Sequence, residues 1–208
     1  MKQDWRKDEP EFYLAKKTIK QITIPNWSYL TISGKGSPAS EHFQKVIETL
    51  FSLSYTLKFS SKKGYLIDNF NEYSVYPLEG YWDLSDEGKT KTTMDKNDLI
   101  YTMMIRQPSF IRAKDLQWAI DFNQAKKPDL LYQEVHLEML EDGPCVQMLH
   151  LGSYDDEPRS FSIMKQYILD NGLCQSLMAH KEIYLSDFRK VSPDKLKTVL
   201  RYFIENAE

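Results

Sequence analysis

HKEIYLSD, residues 180–187, places Ile183 and Leu185 on one parity and His180, Glu182, Tyr184 and Ser186 on the other. Alternation at period two, with aromatic and β-branched side chains, predicts a β-strand whose successive side chains leave opposite faces of a sheet. A carboxylate between a histidine and a tyrosine on one face has two readings. It belongs to a solvated sheet face, as half-exposed antiparallel strands commonly do, or it lines a pocket in which Glu182 is the working charge.

Upstream, PRSFSIMKQYILDNG reads as a helix with Pro158 in its first turn and Gly172 as its stop. YQEVHLEML and CVQMLHL precede it as a strand pair around the turn signal EDGP, and AHKEIYLSD and LKTVLRYFI follow it as two strands. The first half has the same order. KTIKQITIPNWSYLTIS (17–33) reads as two short strands broken at Pro25–Asn26, and GKGSPAS supplies a turn with Ser40 as helix N-cap. EHFQKVIETLFSLSYTL carries apolar residues at 43, 46, 47, 50, 51 and 57, one helical face. EYSVYPLEGYW (72–82) and DLIYTMMIRQ (98–107) follow as strands on either side of a polar surface loop. RAKDLQWAIDFNQAKK is a short connecting helix.

The chain thus reads strand–strand–helix–strand–strand twice. One module covers 17–110, a linker helix segment 111–131, and a second module 132–204, within a single domain of 1–208. GKGSPAS and LGSYDDE echo each other ahead of the two helices. Each helix is expected to cover one face of an antiparallel sheet, with a ligand cleft between pseudo-symmetric halves. Ile183 and Leu185 would then pack on the helix, while Glu182 and Tyr184 look into the cleft.

A net charge of −3 argues against a broad field for nucleic acid, and 41% hydrophobic with 27% charged residues suits a globular domain. No apolar run reaches spanning length and the N-terminus lacks a signal-peptide core, so no membrane partner is expected. Two cysteines, Cys145 and Cys174, fit packing in a reduced cytoplasmic protein better than a disulfide framework. Thirteen tyrosines, 10 phenylalanines and 4 tryptophans suit a cavity for a flat organic ligand, though equally a tyrosine-rich core.

YPLEGYW (76–82), TMMIRQPSF (102–110), CVQMLHLGSYDDEP (145–158), EIYLSDFRK (182–190) and PDKLKTVLR (193–201) stand in order along the chain. Together they resemble the GyrI-like small-molecule-binding family. The resemblance implies an α+β fold of duplicated βαββ (SHS2-type) modules whose central cleft takes flat, often cationic or aromatic compounds. It maps the family's characteristic pocket acid onto Glu182. The pattern departs at His180–Lys181, where the family often has two histidines, at Phe188 in place of proline and at Tyr101 in place of tryptophan. It also reads Tyr81, Trp82, Asp83 where two tryptophans are frequent. Some stand-alone members resemble hydrolases of cyclopropane-bearing DNA-alkylating compounds, so this resemblance implies detoxification by water addition. A non-catalytic drug-binding module and a gyrase-inhibitor-type interaction protein are the alternatives.

For such chemistry Glu182 is the candidate general base, with Tyr184 orienting it or touching substrate. Trp82, Tyr101, Met104 and Phe110 are candidate ligand contacts from the first half. Strand parity lets Tyr101 or Met104 face the cleft, not both. Met148, His150 and His180 are the candidates from the second. Glu134, His136 and Glu138 share a strand face and read as solvated rather than metal-binding. Phosphate-loop and nucleophile-elbow patterns are missing, and no cofactor is expected.

Overall fold

The computed structural model describes residues 2–187 and 189–207; Phe188, one of the departures noted above, lies outside them. Its strands and longer helices are β1 (Lys20–Lys35), α1 (Glu41–Lys58), β2 (Leu78–Leu84), β3 (Leu99–Gln107), α2 (Ala113–Gln124), β4 (His136–Leu151), α3 (Glu157–Asp170), β5 (Leu173–Tyr184) and β6 (Lys197–Asn206). The order β-α-β-β occurs twice, with α2 between the copies. Hydrogen-bonded neighbours run β1-β3-β2-β5-β6-β4. Each repeat therefore places its third strand between its first and its second. The fold is α+β, as expected. No helix among the described residues is long and apolar enough to cross a membrane.

Two expected strand pairs are single long strands instead. Pro25 and Asn26 do not break β1, because the antiparallel ladder with β3 starts only at Ser28 and asks nothing of the missing Pro25 N–H. EDGP is not a hairpin turn. Gly143 takes a φ of 63° and lets β4 run on, and the ladder to β6 begins beyond it at Cys145. Strand β2 starts at Leu78, later than expected, and the polar loop after it contains a one-turn helix, Asp86–Thr90, capped by Ser85.

The chain divides into two compact units. One contains Trp27–Leu78 and Leu84–Leu140. Here Ser40 caps α1 by accepting from the Phe43 N–H, and α1 buries Phe43, Val46, Leu50, Leu53 and Leu57 at helical spacing. Helix α2 joins α1 through Asn123, which bonds Thr56 and Ser52, and the Tyr65 ring stacks on Trp118 at 4.2 Å. The other unit contains Trp5–Asn26, Glu79–Asp83 and the chain from Glu141 onward. Its core joins Val146 and Met148 of β4, Met164 and Ile168 of α3, and Leu200, Tyr202 and Ile204 of β6. Gly172, at φ 64°, ends α3 in the left-handed conformation that glycine adopts without steric cost.

That core reverses the expected facing of β5. Directly paired antiparallel residues share a face, and Glu182 pairs with Leu200, His180 with Tyr202, Tyr184 with Thr198. The Glu182 face is thus the face α3 covers, and Phe161 of α3 packs its ring edge-on to His180 at 4.6 Å. Ile183 lies on the opposite face. Helix α3 accepts the polar side of the strand because its N-terminal turn presents polar groups there, while its apolar stripe sits further along, over Met148 and Leu200.

Candidate functional site

Three side chains, His180, Tyr184 and Glu157, converge on Glu182, which is 8% exposed, and Trp82 and Tyr154 contact Tyr184. His180 Nε2 lies 2.9 Å from Glu182 Oε1. Trp82, on β2 beside β5, donates its Nε1–H to Tyr184 Oη at 2.7 Å. An indole can only donate, so the Tyr184 hydroxyl accepts there and its proton turns to the Glu182 carboxylate. Glu157, the first residue of α3, is 6% exposed and within hydrogen-bonding reach of Glu182. Tyr154, in the turn before α3, sets its ring edge-on to Tyr184 at 6.0 Å.

The electrostatics follow from this crowding. Burial, then the charge and hydrogen bond of Glu182 and the charge of Asp155, push the Glu157 carboxyl up to about 9. At neutral pH Glu157 therefore keeps its proton. Its Oε1 is buried and has no hydrogen-bond partner among the described residues. Burial, with the same carboxylates, keeps Tyr184 a neutral phenol and pushes Tyr154 up to about 12. The result is a buried acceptor ringed by donors and aromatic faces, suited to holding a polar atom of a flat ligand or taking a proton from water.

The opposite face of the same strands carries a second cluster. Lys181, fully buried, lies 2.9 Å from Glu79 Oε2 and 2.9 Å from Asp142 Oδ2. Tyr81 donates to Asp142 in a short hydrogen bond, and Arg201 lies 3.6 Å from the same carboxylate. Arg201 also bonds Gln147 and the Phe12 carbonyl, and Gln147 donates to the Glu11 carbonyl, which ties the N-terminal segment to the sheet. Burial alone would pull the Lys181 ammonium down, but Glu79 and Asp142 hold it above its ordinary value. Cys145, next to this cluster, has its thiol pushed up to about 12 by burial and then by Asp142, which suits packing rather than nucleophilic work.

Of the expected site residues, Glu182, Tyr184, His180 and Trp82 come together. Met148 and His150 share their face but sit under α3. Met148 packs with Met164 and Ile168. Both ring nitrogens of His150 are used, Nδ1 by Ser160 Oγ at 2.9 Å and Nε2 by the Ser153 carbonyl at 3.0 Å. Tyr101, Met104 and Phe110 belong to the other unit. Tyr101 lies across Gly34, its ladder partner, and against the edge of Phe43. Met104 is buried on the opposite face of β3, paired with Thr31. Phe110 packs edge-on against Phe70 and Tyr73. Among the described residues no cluster of His, Cys, Asp and Glu could hold a metal ion.

Glu157, Tyr154 and Lys181 were not anticipated. An acidic residue in the first turn of a helix is a routine start signal, so Glu157 was indistinguishable from a capping charge. Lys181 did carry a signal. It shares the parity of Ile183, and a lysine on an apolar parity needs buried partners.

The comparisons with known proteins agree with this architecture. The family model for the GyrI-like small molecule binding domain matches residues 17–204. A structure of a hydrolase from Listeria innocua superposes with a TM-score of 0.88 at 34% identity, covering 98% of this chain and all of its own. A hydrolase encoded by lin2189 of the same organism gives 0.90 at 35% identity, over 99% of this chain and all of its own. The EcmrR C-terminal domain, at 12% identity and a TM-score of 0.54 over 93% of this chain and 99% of its own, shares the fold alone. No curated protein matches the chain. The chain belongs to the GyrI-like small molecule binding domain family.

Proposed function

We propose that the protein binds flat aromatic small molecules beside Glu182 and hydrolyses activated cyclopropanes among them, a cytoplasmic detoxification of DNA-alkylating compounds. The observation that carries this reading is the buried Glu182 carboxylate, held by His180 and Tyr184 among the rings of Trp82, Tyr184 and Tyr154. The family's small-molecule binding and the hydrolases from Listeria innocua support it. In a spirocyclopropane conjugated to a dienone, water attacks the ring methylene and forms a C–O bond. The ring C–C bond breaks and its electron pair aromatises the dienone to a phenolate. Glu182 takes the proton lost by the water and releases it to solvent, and the phenolate gains one from solvent, so the sum is one water added. Ring faces of the flanking aromatics orient the scaffold by stacking. His180 and Tyr184 fix the carboxylate, so little reorganisation is needed as the proton moves.

The test is mass spectrometry of such a compound incubated with catalytic amounts of protein and of Glu182→Gln. Product heavier by one water, formed over many turnovers and lost in the variant, is expected. Product that persists in the variant removes Glu182 from the chemistry. Saturable binding with unchanged compound replaces the hydrolase by the second reading, a sequestering or sensing module, which the family's small-molecule binding favours.

A further inference from the structure

Opening an activated cyclopropane needs a base but no neighbouring acid, because the electron pair leaves into the dienone. The site nevertheless holds two buried carboxyl groups in hydrogen-bonding reach, Glu182 on β5 and Glu157 on α3. The second has a buried oxygen, Oε1, with no hydrogen-bond partner among the described residues. An acid and a base side by side suit an electrophile whose attacked atom and leaving atom are also neighbours. We propose that Glu157 and Glu182 form an acid–base pair that hydrolyses aryl-substituted epoxides, with Glu182 as base and Glu157 as acid. This rests on the reading of the site as a hydrolase and names a further substrate class for it.

The step balances without an outside reagent. Water oxygen bonds to a ring carbon, that carbon's own C–O bond breaks on the far side, Glu182 takes the water proton and Glu157 gives its own to the leaving oxygen. The product is a vicinal diol. The proton on Glu182 then returns to Glu157 across their hydrogen bond, and the pair is restored. The groups facing the pair are His180 and Tyr184 from β5, and Tyr154 and Asp155 from the turn before α3, with Asp187 facing Tyr154. The aryl ring is the part that Trp82, Tyr154 and Tyr184 would hold.

Styrene oxide and a spirocyclopropyl dienone are each given to the wild type, Glu157→Gln and Glu182→Gln, with thermal melting to check that both variants fold. The wild type is expected to turn over both compounds, and Glu182→Gln to lose both. Loss of an acid catalyst costs about 10²–10⁴-fold, so Glu157→Gln should lose at least ~10-fold more rate on the epoxide than on the dienone. In the wild type the epoxide rate should also fall as pH rises through about 9, where Glu157 loses its proton, with the dienone rate following a different limb. This second measurement needs no variant. Dienone turnover with styrene oxide untouched overturns the acid–base pair and leaves the hydrolase standing. Equal losses on both compounds in a folded Glu157→Gln, or an epoxide rate with no alkaline limb, also overturn it. If neither compound is hydrolysed, the hydrolase reading fails and the pair fails with it.

Discussion

Replacing Lys181 by methionine keeps most of the length of the side chain and removes its charge. Lys181 is fully buried between Glu79 and Asp142, themselves buried, at 2.9 Å from each. Removing one partner of a buried ionic group strands the others without water, which costs about 3–5 kcal/mol. Arg201, 3.6 Å from Asp142, compensates part of one carboxylate, so the lower half of that range is expected. For a chain of this size 1 kcal/mol moves the melting temperature by about 2–4 °C, so the drop should be about 6–16 °C. Urea denaturation gives the free energy directly, and calorimetry the temperature.

The pH dependence sharpens this test. Burial would raise the Asp142 pKa, but Lys181, Arg201 and the Tyr81 hydrogen bond together hold it below the ordinary carboxylate range. Its stabilising contribution is therefore present above the unfolded value of about 3.9 and lost as pH falls through the folded value. In Lys181→Met that depression weakens, a buried carboxylate can take up a proton, and the gap to wild type narrows as pH drops. A triple variant that adds Glu79→Gln and Asp142→Asn should recover most of the loss, since no charge is then stranded. A loss below about 1 kcal/mol, or a gap that widens in acid, would refute the assignment of Lys181 as the counter-charge.

Glu157→Gln should outlast the wild type at alkaline pH. A raised carboxyl contributes stability fully present below about 4.3 and lost as pH rises toward about 9, on the order of 1 kcal/mol per pH unit, and glutamine has no such loss. Melts from pH 5 to 9 should show the variant gaining on the wild type, and parallel curves would count against the raised Glu157 carboxyl. Gly34→Ala would place a Cβ 2.5 Å from Tyr101 Oη and should cost about 1–3 kcal/mol, relieved in the Gly34→Ala, Tyr101→Ala double variant. Trp82→Phe removes the donor to Tyr184 and should cost ~1 kcal/mol. A double-mutant cycle with Tyr184→Phe should return a coupling of that size, and a coupling near zero would mean the hydrogen bond is not formed in solution.

Much of this protein was legible as pattern. Period-two alternation in EIYL placed His180, Glu182 and Tyr184 together, because strand parity is a local property of the backbone. The helices over α1 and α3 followed from apolar spacing and from local chemistry at Ser40, Pro158 and Gly172. The α+β class and the twofold order came from the succession of those elements. Strand continuity did not, since Pro25 and EDGP are turn signals that the ladders from β1 to β3 and from β4 to β6 start beyond. Which face of β5 meets α3 was equally out of reach. Alternation separates two faces but does not say which one a helix covers, and the packing of Met148, Met164 and Leu200 decided that Glu182 lies on the covered side. Only that packing brings Glu157, from an ordinary acidic helix start, against Glu182 and pushes its carboxyl up. A local chain carries the identity and parity of its charges, while the burial that shifts them depends on segments far away in sequence.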